Sequence, residues 1–389
     1  MSEFSVDAAG LNSLYNVFVR ASGDASDSLD YTRQHCDLSF TEVGLIMRLI
    51  SPHKHAYGEV TDALTQLKDL AQGAGTQINA AQKDYARTDE GSAVRLDAGY
   101  PGAKDPVSLR GTLSPGRPDL RGRRSGFTDV AEPTAHLKNP EYAIGVEMWS
   151  INPLADLISP SAWLRQVSIW LFSYDPFEGW ASQFSGDWKA YVHCGNAMGL
   201  AGAAAYDIGR NLTAAAADVP AVWRGKAAEA EQEFQLALGG AAMDLQNACR
   251  HFNELYLQAA EAVKKLLDVV SGLISDLLDV LIIINASAAV GTATIETVVG
   301  PIAGYGVAAY YTWQAYDLYK EISSFFGNAE DLLKLIGGSI TGIKATLAVK
   351  DLPTVQPYQH PAGYRNAGRC SGLQRAVCEL SVVRHRSMS

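Results

Sequence analysis

Apolar side chains in the first hundred residues recur at helical spacing. Leu11, Leu14, Tyr15, Phe18 and Val19 follow the i, i+3, i+4, i+7, i+8 template of an amphipathic helix. Ser51-Pro52-His53 reads as a break. After it, Val60, Leu64, Leu67, Ala71, Ala74, Ile78, Ala81 and Tyr85 alternate in steps of four and three. That spacing is the seam of a helical bundle, and the small residues in its middle suggest close approach of a partner helix. Asp89-Glu90-Gly91 ends the pattern. Residues 1–100 are therefore expected to form a helical hairpin.

The alternation returns later in the chain. An alanine-rich arm from Asp187 to about Asp218 leads into Val219-Pro220-Ala221-Val222-Trp223-Arg224-Gly225, a turn marked by proline and glycine. Beyond it Phe234, Leu238, Ala241, Leu245, Ala248, Phe252, Leu255, Ala259, Ala262 and Leu266 keep the same four-three rhythm. So sustained a pattern predicts a long bundle helix or coiled-coil arm. Residues 187–276 read as a second hairpin.

The intervals between differ in composition. Residues 101–140 hold Pro101, Pro106, Pro115, Pro118 and Pro133 with Arg110, Arg117, Arg121, Arg123 and Arg124, which reads as a mobile linker. Residues 141–186, with Trp149, Trp163, Trp170 and Trp180, are expected to form short helices around a small aromatic core. Residues 277–349 are an apolar helical extension. Within it Val280–Ile295 and Thr297–Tyr316 are uncharged and separated only by Glu296, with a helix break expected near Gly300-Pro301. Residues 350–389, rich in proline and arginine, read as a flexible basic tail. The fold expected is all-α: an elongated bundle of two antiparallel helical hairpins, a four-helix bundle, with an apolar C-terminal helical extension.

Composition narrows the function classes. With 47% hydrophobic and 19% charged residues the chain can bury a core, and wholesale disorder is excluded. A net charge of −10 argues against nucleic acid as a partner, because phosphate binding needs a basic footprint. The five cysteines form no C-x-x-C pair. Cys36, Cys194 and Cys249 read as small buried hydrophobes, and only Cys370 and Cys378 are placed to pair. No H-E-x-x-H, P-loop or G-x-S-x-G set occurs, so no catalysis, metal or cofactor is expected. His53-Lys54-His55 is expected to be a solvated turn rather than a metal site. The N-terminus has neither a basic nor an apolar segment of a Sec signal, so an exported protein of this kind needs another address.

Trp223-Arg224-Gly225, in the turn between two long helices, resembles the Trp-x-Gly hallmark of WXG proteins, the helical hairpins exported by type VII (ESX) secretion systems. Gly186-Asp187-Trp188 before the first arm and Ala227-Ala228-Glu229-Ala230 after the turn fit the same pattern. Tyr85-Ala86-Arg87-Thr88-Asp89 matches the Tyr-x-x-x-Asp/Glu export signal of these substrates. It puts phenol and carboxylate one turn apart on a helical face. With 17 tyrosines and 42 acids, roughly two such spacings arise by chance, so the weight lies in its place at the end of the first hairpin.

Together these marks resemble a PE–PPE pair fused in one chain, of the EspB-like kind found in actinobacteria. The resemblance implies a secreted or envelope-associated, homo-oligomeric protein recognised by the type VII motor ATPase and by a dedicated chaperone. In it Trp223, Gly225, Tyr85 and Asp89 form the export surface at one end of the bundle.

Competing readings stand beside each mark. Trp223 and Gly225 also fit an ordinary helix–helix turn, Tyr85 a plain core tyrosine, and Asp89 a solvated helix-end acid. For the apolar extension, with Val298, Ile302, Val307, Tyr310 and Trp313, burial in the protein or in an oligomer interface is the first expectation. Insertion into a membrane, as a pore-forming effector, is the second.

Overall fold

The helices begin and end where elementary chemistry places them. Helix α1 (Ala8–Cys36) starts behind Asp7, whose backbone is extended and whose carboxylate accepts the Ala9 N–H at 3.0 Å. Its buried face carries Leu11, Leu14, Phe18, Ala21, Ala25, Leu29 and Cys36. Helix α2 (Ile50–Arg87) buries Val60, Leu64, Leu67, Ala71, Ala74 and Ile78, the seam expected from the sequence. Ser51-Pro52-His53 is not a break. A short 3-10 turn, Leu45–Leu49, feeds directly into α2, and Pro52 stands in the first turn, where its missing N–H has no partner to lose.

A computed structural model describes residues 4–38, 43–88, 90–100, 102, 126–142, 148, 154, 162–293, 299–347 and 349. These residues are mostly helical, an all-α architecture. After α2 come α3 (Glu90–Gly99), α4 (Ala162–Phe172), α5 (Pro176–Gln183), α6 (Trp188–Ala216), the single turn α7 (Val219–Val222), α8 (Lys226–Ala293) and α9 (Val299–Gly342). The described residues lie within one compact unit, Met1–Pro353.

Helices α1 and α2 run antiparallel. Ala8 meets Gln82, Tyr15 meets Gly75 and Ser22 meets Lys68, so partner numbers fall along one helix as they rise along the other. Helices α6 and α8 do the same: Gly195 lies against Tyr256, Gly202 against Cys249 and Gly209 against Gly239. These glycines let the two backbones approach closely. A Cβ on Gly209 would stand 2.7 Å from Met243 Cγ and overlap the Gly239 carbonyl. Helix α1 also packs on α6, and α9 packs along α8 and touches α2.

Three features depart from the sequence reading. First, α8 is a single helix of 68 residues, about 100 Å long, and runs through residue 277, where the second hairpin was expected to end. Its buried line simply continues through Val270, Ile274, Leu277, Leu281 and Ile284, where α9 takes over as the neighbour. Helix α9 begins at Val299, so the helix boundary lies beside Gly300 and Pro301, as expected, and both stand in its first turn.

Second, residues 126–140 are pinned to the helices rather than free. Arg20 pairs with Asp129 at 2.7 Å, His136 meets Asp207 at 2.8 Å, and Asn211 Oδ1 accepts from Val130 and Ala131. The five linker arginines and the 350–389 tail lie outside the described residues.

Third, His53 and His55 do not form a solvated turn. His53 is buried with its Nδ1 2.8 Å from the Tyr256 hydroxyl, and His55 Nε2 lies 3.0 Å from the Ile343 carbonyl. Both tie α2 to the rest of the bundle. Cys36, Cys194 and Cys249 are free and buried, as expected of small apolar side chains. In the aromatic segment Phe172, Phe177 and Trp180 are buried, and Tyr319 of α9 stacks on Phe172 at 4.8 Å.

Candidate functional site

The end of α2 meets the turn between α6 and α8. Tyr85 is in the last turn of α2, whose C-cap Thr88 returns its N–H to the Tyr85 carbonyl. Trp223 closes α7 in an extended conformation, φ −144° and ψ 126°. With Arg224 it forms a two-residue strand, β2 (Trp223–Arg224), paired antiparallel with β1 (Ser5–Val6). Val6 stands opposite Trp223, and the Asp7 N–H donates to the Val222 carbonyl at 2.7 Å. The N-terminal residues thus strap the Trp-x-Gly turn to the start of α1.

The phenol and the indole come together. Their ring centroids are 6.1 Å apart at 70°, an edge-to-face pair, and Phe4 also packs on Tyr85, with centroids 5.7 Å apart. Burial, with the Asp97 carboxylate adding to it, pushes the Tyr85 hydroxyl up to about 12, while the neighbouring Trp223 N–H pulls the other way. That N–H is itself buried and makes no hydrogen bond of normal geometry. The phenol is therefore a neutral donor at any physiological pH.

One expectation needs correcting. Trp223 was expected to form part of the export surface, yet it is only 5% exposed. Pairing with β1 and packing on Tyr85 cover it. The exposed groups around the turn are Pro220, Ala221 and Arg224, with Asp84 and Arg87 on the last turns of α2. Any recognition at this end reads these surfaces, with the two rings fixing their arrangement from beneath.

Gly225 has two reasons to be glycine. Its φ of +132° lies in the region that side chains avoid, and a Cβ there would stand 2.6 Å from both Asp97 carboxylate oxygens. Those oxygens are occupied. Asp97 Oδ2 accepts the Lys226 N–H at 2.9 Å and Oδ1 accepts the Ala227 N–H at 3.0 Å. The α8 N-terminus is thus capped by a residue of α3, and the Lys226 ammonium donates to the Ala98 carbonyl at 2.9 Å. A carboxylate at this position also sits favourably at the positive end of a long helix.

Asp97 escaped the sequence reading. The one available signal was negative: Trp223-Arg224-Gly225-Lys226 offers no Ser, Thr, Asp or Asn to cap so long a helix. Glu231, one turn further along α8, is a second residue missed. It is buried, its Oε1 has no hydrogen-bond partner, and desolvation raises its carboxyl to about 8.

Of the residues singled out from the sequence, Tyr85, Trp223 and Gly225 gather at this end. Asp89 lies outside the described residues, as do Val298 and the side chain of Ile302. Val307, Tyr310 and Trp313 sit on α9, and none is buried by the chain: they are 44%, 61% and 65% exposed. The first expectation for this segment was burial in the protein or in an oligomer interface, and within the protein it does not hold for these three. Comparison of the chain with protein-family models, with curated proteins and with solved structures finds no match.

Proposed function

We propose that this chain is a non-enzymatic helical protein of the WXG type, a fused PE–PPE-like substrate exported by a type VII secretion system. In this reading the antiparallel pairs α1–α2 and α6–α8 form the four-helix bundle of the fused hairpins. The single observation that supports it is the 6.1 Å edge-to-face contact between Tyr85 and Trp223. Two motifs 138 positions apart in sequence, read independently as parts of one export address, meet at one end of the fold.

The partners that follow are the motor ATPase of the secretion system, a dedicated chaperone, and further copies of the same chain. The destination is the medium or the cell envelope. The role there is structural or oligomer-forming rather than catalytic.

The test is location. In a host carrying a type VII system, the full chain should accumulate in the culture filtrate or envelope and be retained in cells lacking the motor ATPase. Equal export from both strains would contradict the proposal.

A further inference from the structure

Three cysteines come from three different helices into the core. Cys36 is the last residue of α1, Cys194 lies near the start of α6, and Cys249 lies on α8. All three are free and buried. Cys36 and Cys194 are in contact. The Cys36 thiol donates to the Cys194 carbonyl at 3.4 Å across 158 positions of sequence, and the two thiols hydrogen-bond each other. His53 of α2 places Nδ1 3.9 Å from the Cys194 sulphur and 2.8 Å from the hydroxyl of Tyr256 on α8. Side chains of α1, α2, α6 and α8 thus hold two sulphurs in one place. Cys249 instead faces Gly202, eight positions along α6 from Cys194, or about 12 Å of helix.

Two thiols in contact need little to become a disulfide. The bond demands Cβ atoms about 4 Å apart, which only neighbouring side chains satisfy. The Cys194 carbonyl also serves the ladder of α6, so losing the Cys36 thiol as a donor leaves no buried acceptor unsatisfied. What is lost is a weak thiol bond. What is gained is a cross-link that closes a loop of 158 positions in the unfolded chain, where long loops count most. Burial pushes the Cys194 thiol up, so it is unreactive once the core has closed, and exchange belongs to the open chain.

We propose that Cys36 and Cys194 are a disulfide site, closed as the chain folds in the presence of a small-molecule disulfide, and that the bond fastens α1 to α6. One thiolate of the pair attacks the small disulfide, forming a mixed disulfide and releasing the first small thiolate. The other attacks the cysteine sulphur of that intermediate and releases the second. The two protons end on the released thiols, so the cysteine pair is oxidised and the small disulfide reduced. Cys249 stays a thiol. The proposal rests on packing and not on the export reading.

The experiment is refolding of the purified full chain from urea, in reduced and oxidised glutathione or in excess reductant alone. Chains that regain the native circular dichroism are alkylated in denaturant and digested without reduction. Most oxidised molecules should yield a linked Cys36–Cys194 peptide, with Cys249 alkylated. In urea unfolding the linked form should have a folding equilibrium constant about thirtyfold or more above that of the reduced form. Cys36→Ala should abolish this difference and Cys249→Ala should keep it. The peptide map of chain synthesised in a glutathione-buffered cell-free extract, which requires no refolding, should show the same link.

Recovery of both Cys36 and Cys194 alkylated from natively folded, oxidised protein would overturn the proposal. So would Cys249 linked to Cys36 as often as Cys194 is. A linked form that lacks the native circular dichroism, or is no more stable than the reduced chain, would overturn it as well.

Discussion

The Asp97 carboxylate accepts the backbone N–H of Lys226 at 2.9 Å across 129 positions of sequence, and so a residue of the first hundred caps the helix that follows the Trp-x-Gly turn. Gly225 lies between them in space as well as in sequence, because any side chain there would displace the carboxylate. Cap, turn and strap are one construction.

That construction sets a pattern of coupled losses. Asp97→Ala removes two N–H partners at the α8 start and should cost about 1–2 kcal/mol. Gly225→Ala should cost at least about 2 kcal/mol, from the positive φ and from the collision with Asp97. The double variant should cost less than the two losses combined, since the collision disappears with the carboxylate. Urea unfolding of the four proteins checks this, and strict additivity would show that the collision is not what Gly225 avoids.

The α6–α8 contact should be intolerant of bulk. Gly209→Val places carbon against the Gly239 carbonyl and Met243, and should cost about 2–3 kcal/mol. The comparison is Gly240→Ala, where an added Cβ meets nothing within 4 Å. A thermal midpoint that falls equally in both would deny the close approach of these helices.

Two buried groups give the stability opposite slopes with pH. Burial lowers His53 from 6.5 to about 4, so between those values the unfolded chain binds the extra proton. His53 therefore contributes stability that is present above pH 6.5 and lost as pH falls towards 4, on the order of 3 kcal/mol. Glu231 is the reverse case. Its folded value of about 8 lies above the ordinary 4.5, so its cost is absent below pH 4.5 and grows as pH rises through 8.

Glu231→Gln should accordingly stabilise the protein above pH 8 by a few kcal/mol, on the order of 3–5, and change little at pH 4. His53→Gln should flatten the acid limb between pH 6.5 and 4. Urea midpoints across pH 4–9 report both differences. A Glu231→Gln gain that is the same at every pH would mean the carboxyl is not the titrating group.

Much of this architecture was legible in the sequence, and the misses share a cause. Periodicity is a local signal, and it found the α1, α2 and α8 seams because each repeats over several turns. It also gave the Trp-x-Gly turn, where proline and glycine punctuate two helices. The break assigned to Pro52 failed because proline is tolerated in a first helical turn, and the sequence does not say which turn it occupies.

The end of the second hairpin was misjudged at 277 for a different reason. Composition changes there because α8 exchanges one neighbour for another, while its buried line runs on from Val270 to Ile284. Asp97, His53 and the Ser5–Val6 strand each act through one or two residues at long range. No repeat announces such contacts. At the candidate site, Tyr85, Trp223 and Gly225 were found from motifs, but the burial of the indole was not, since it depends on a strap from the other end of the chain.

The central claim is that Tyr85 and Trp223 act as one unit in export, and the most direct measurement is the exported fraction of Tyr85→Leu, Trp223→Leu and the double variant. Both rings are packed, so a variant of comparable instability must accompany them; Leu238→Ala, in the α8 core, should cost about 2–5 kcal/mol. The expected result is loss of export in each ring variant, no further loss in the double, and normal export of folded Leu238→Ala protein. Export of the ring variants at the level of Leu238→Ala would contradict the account.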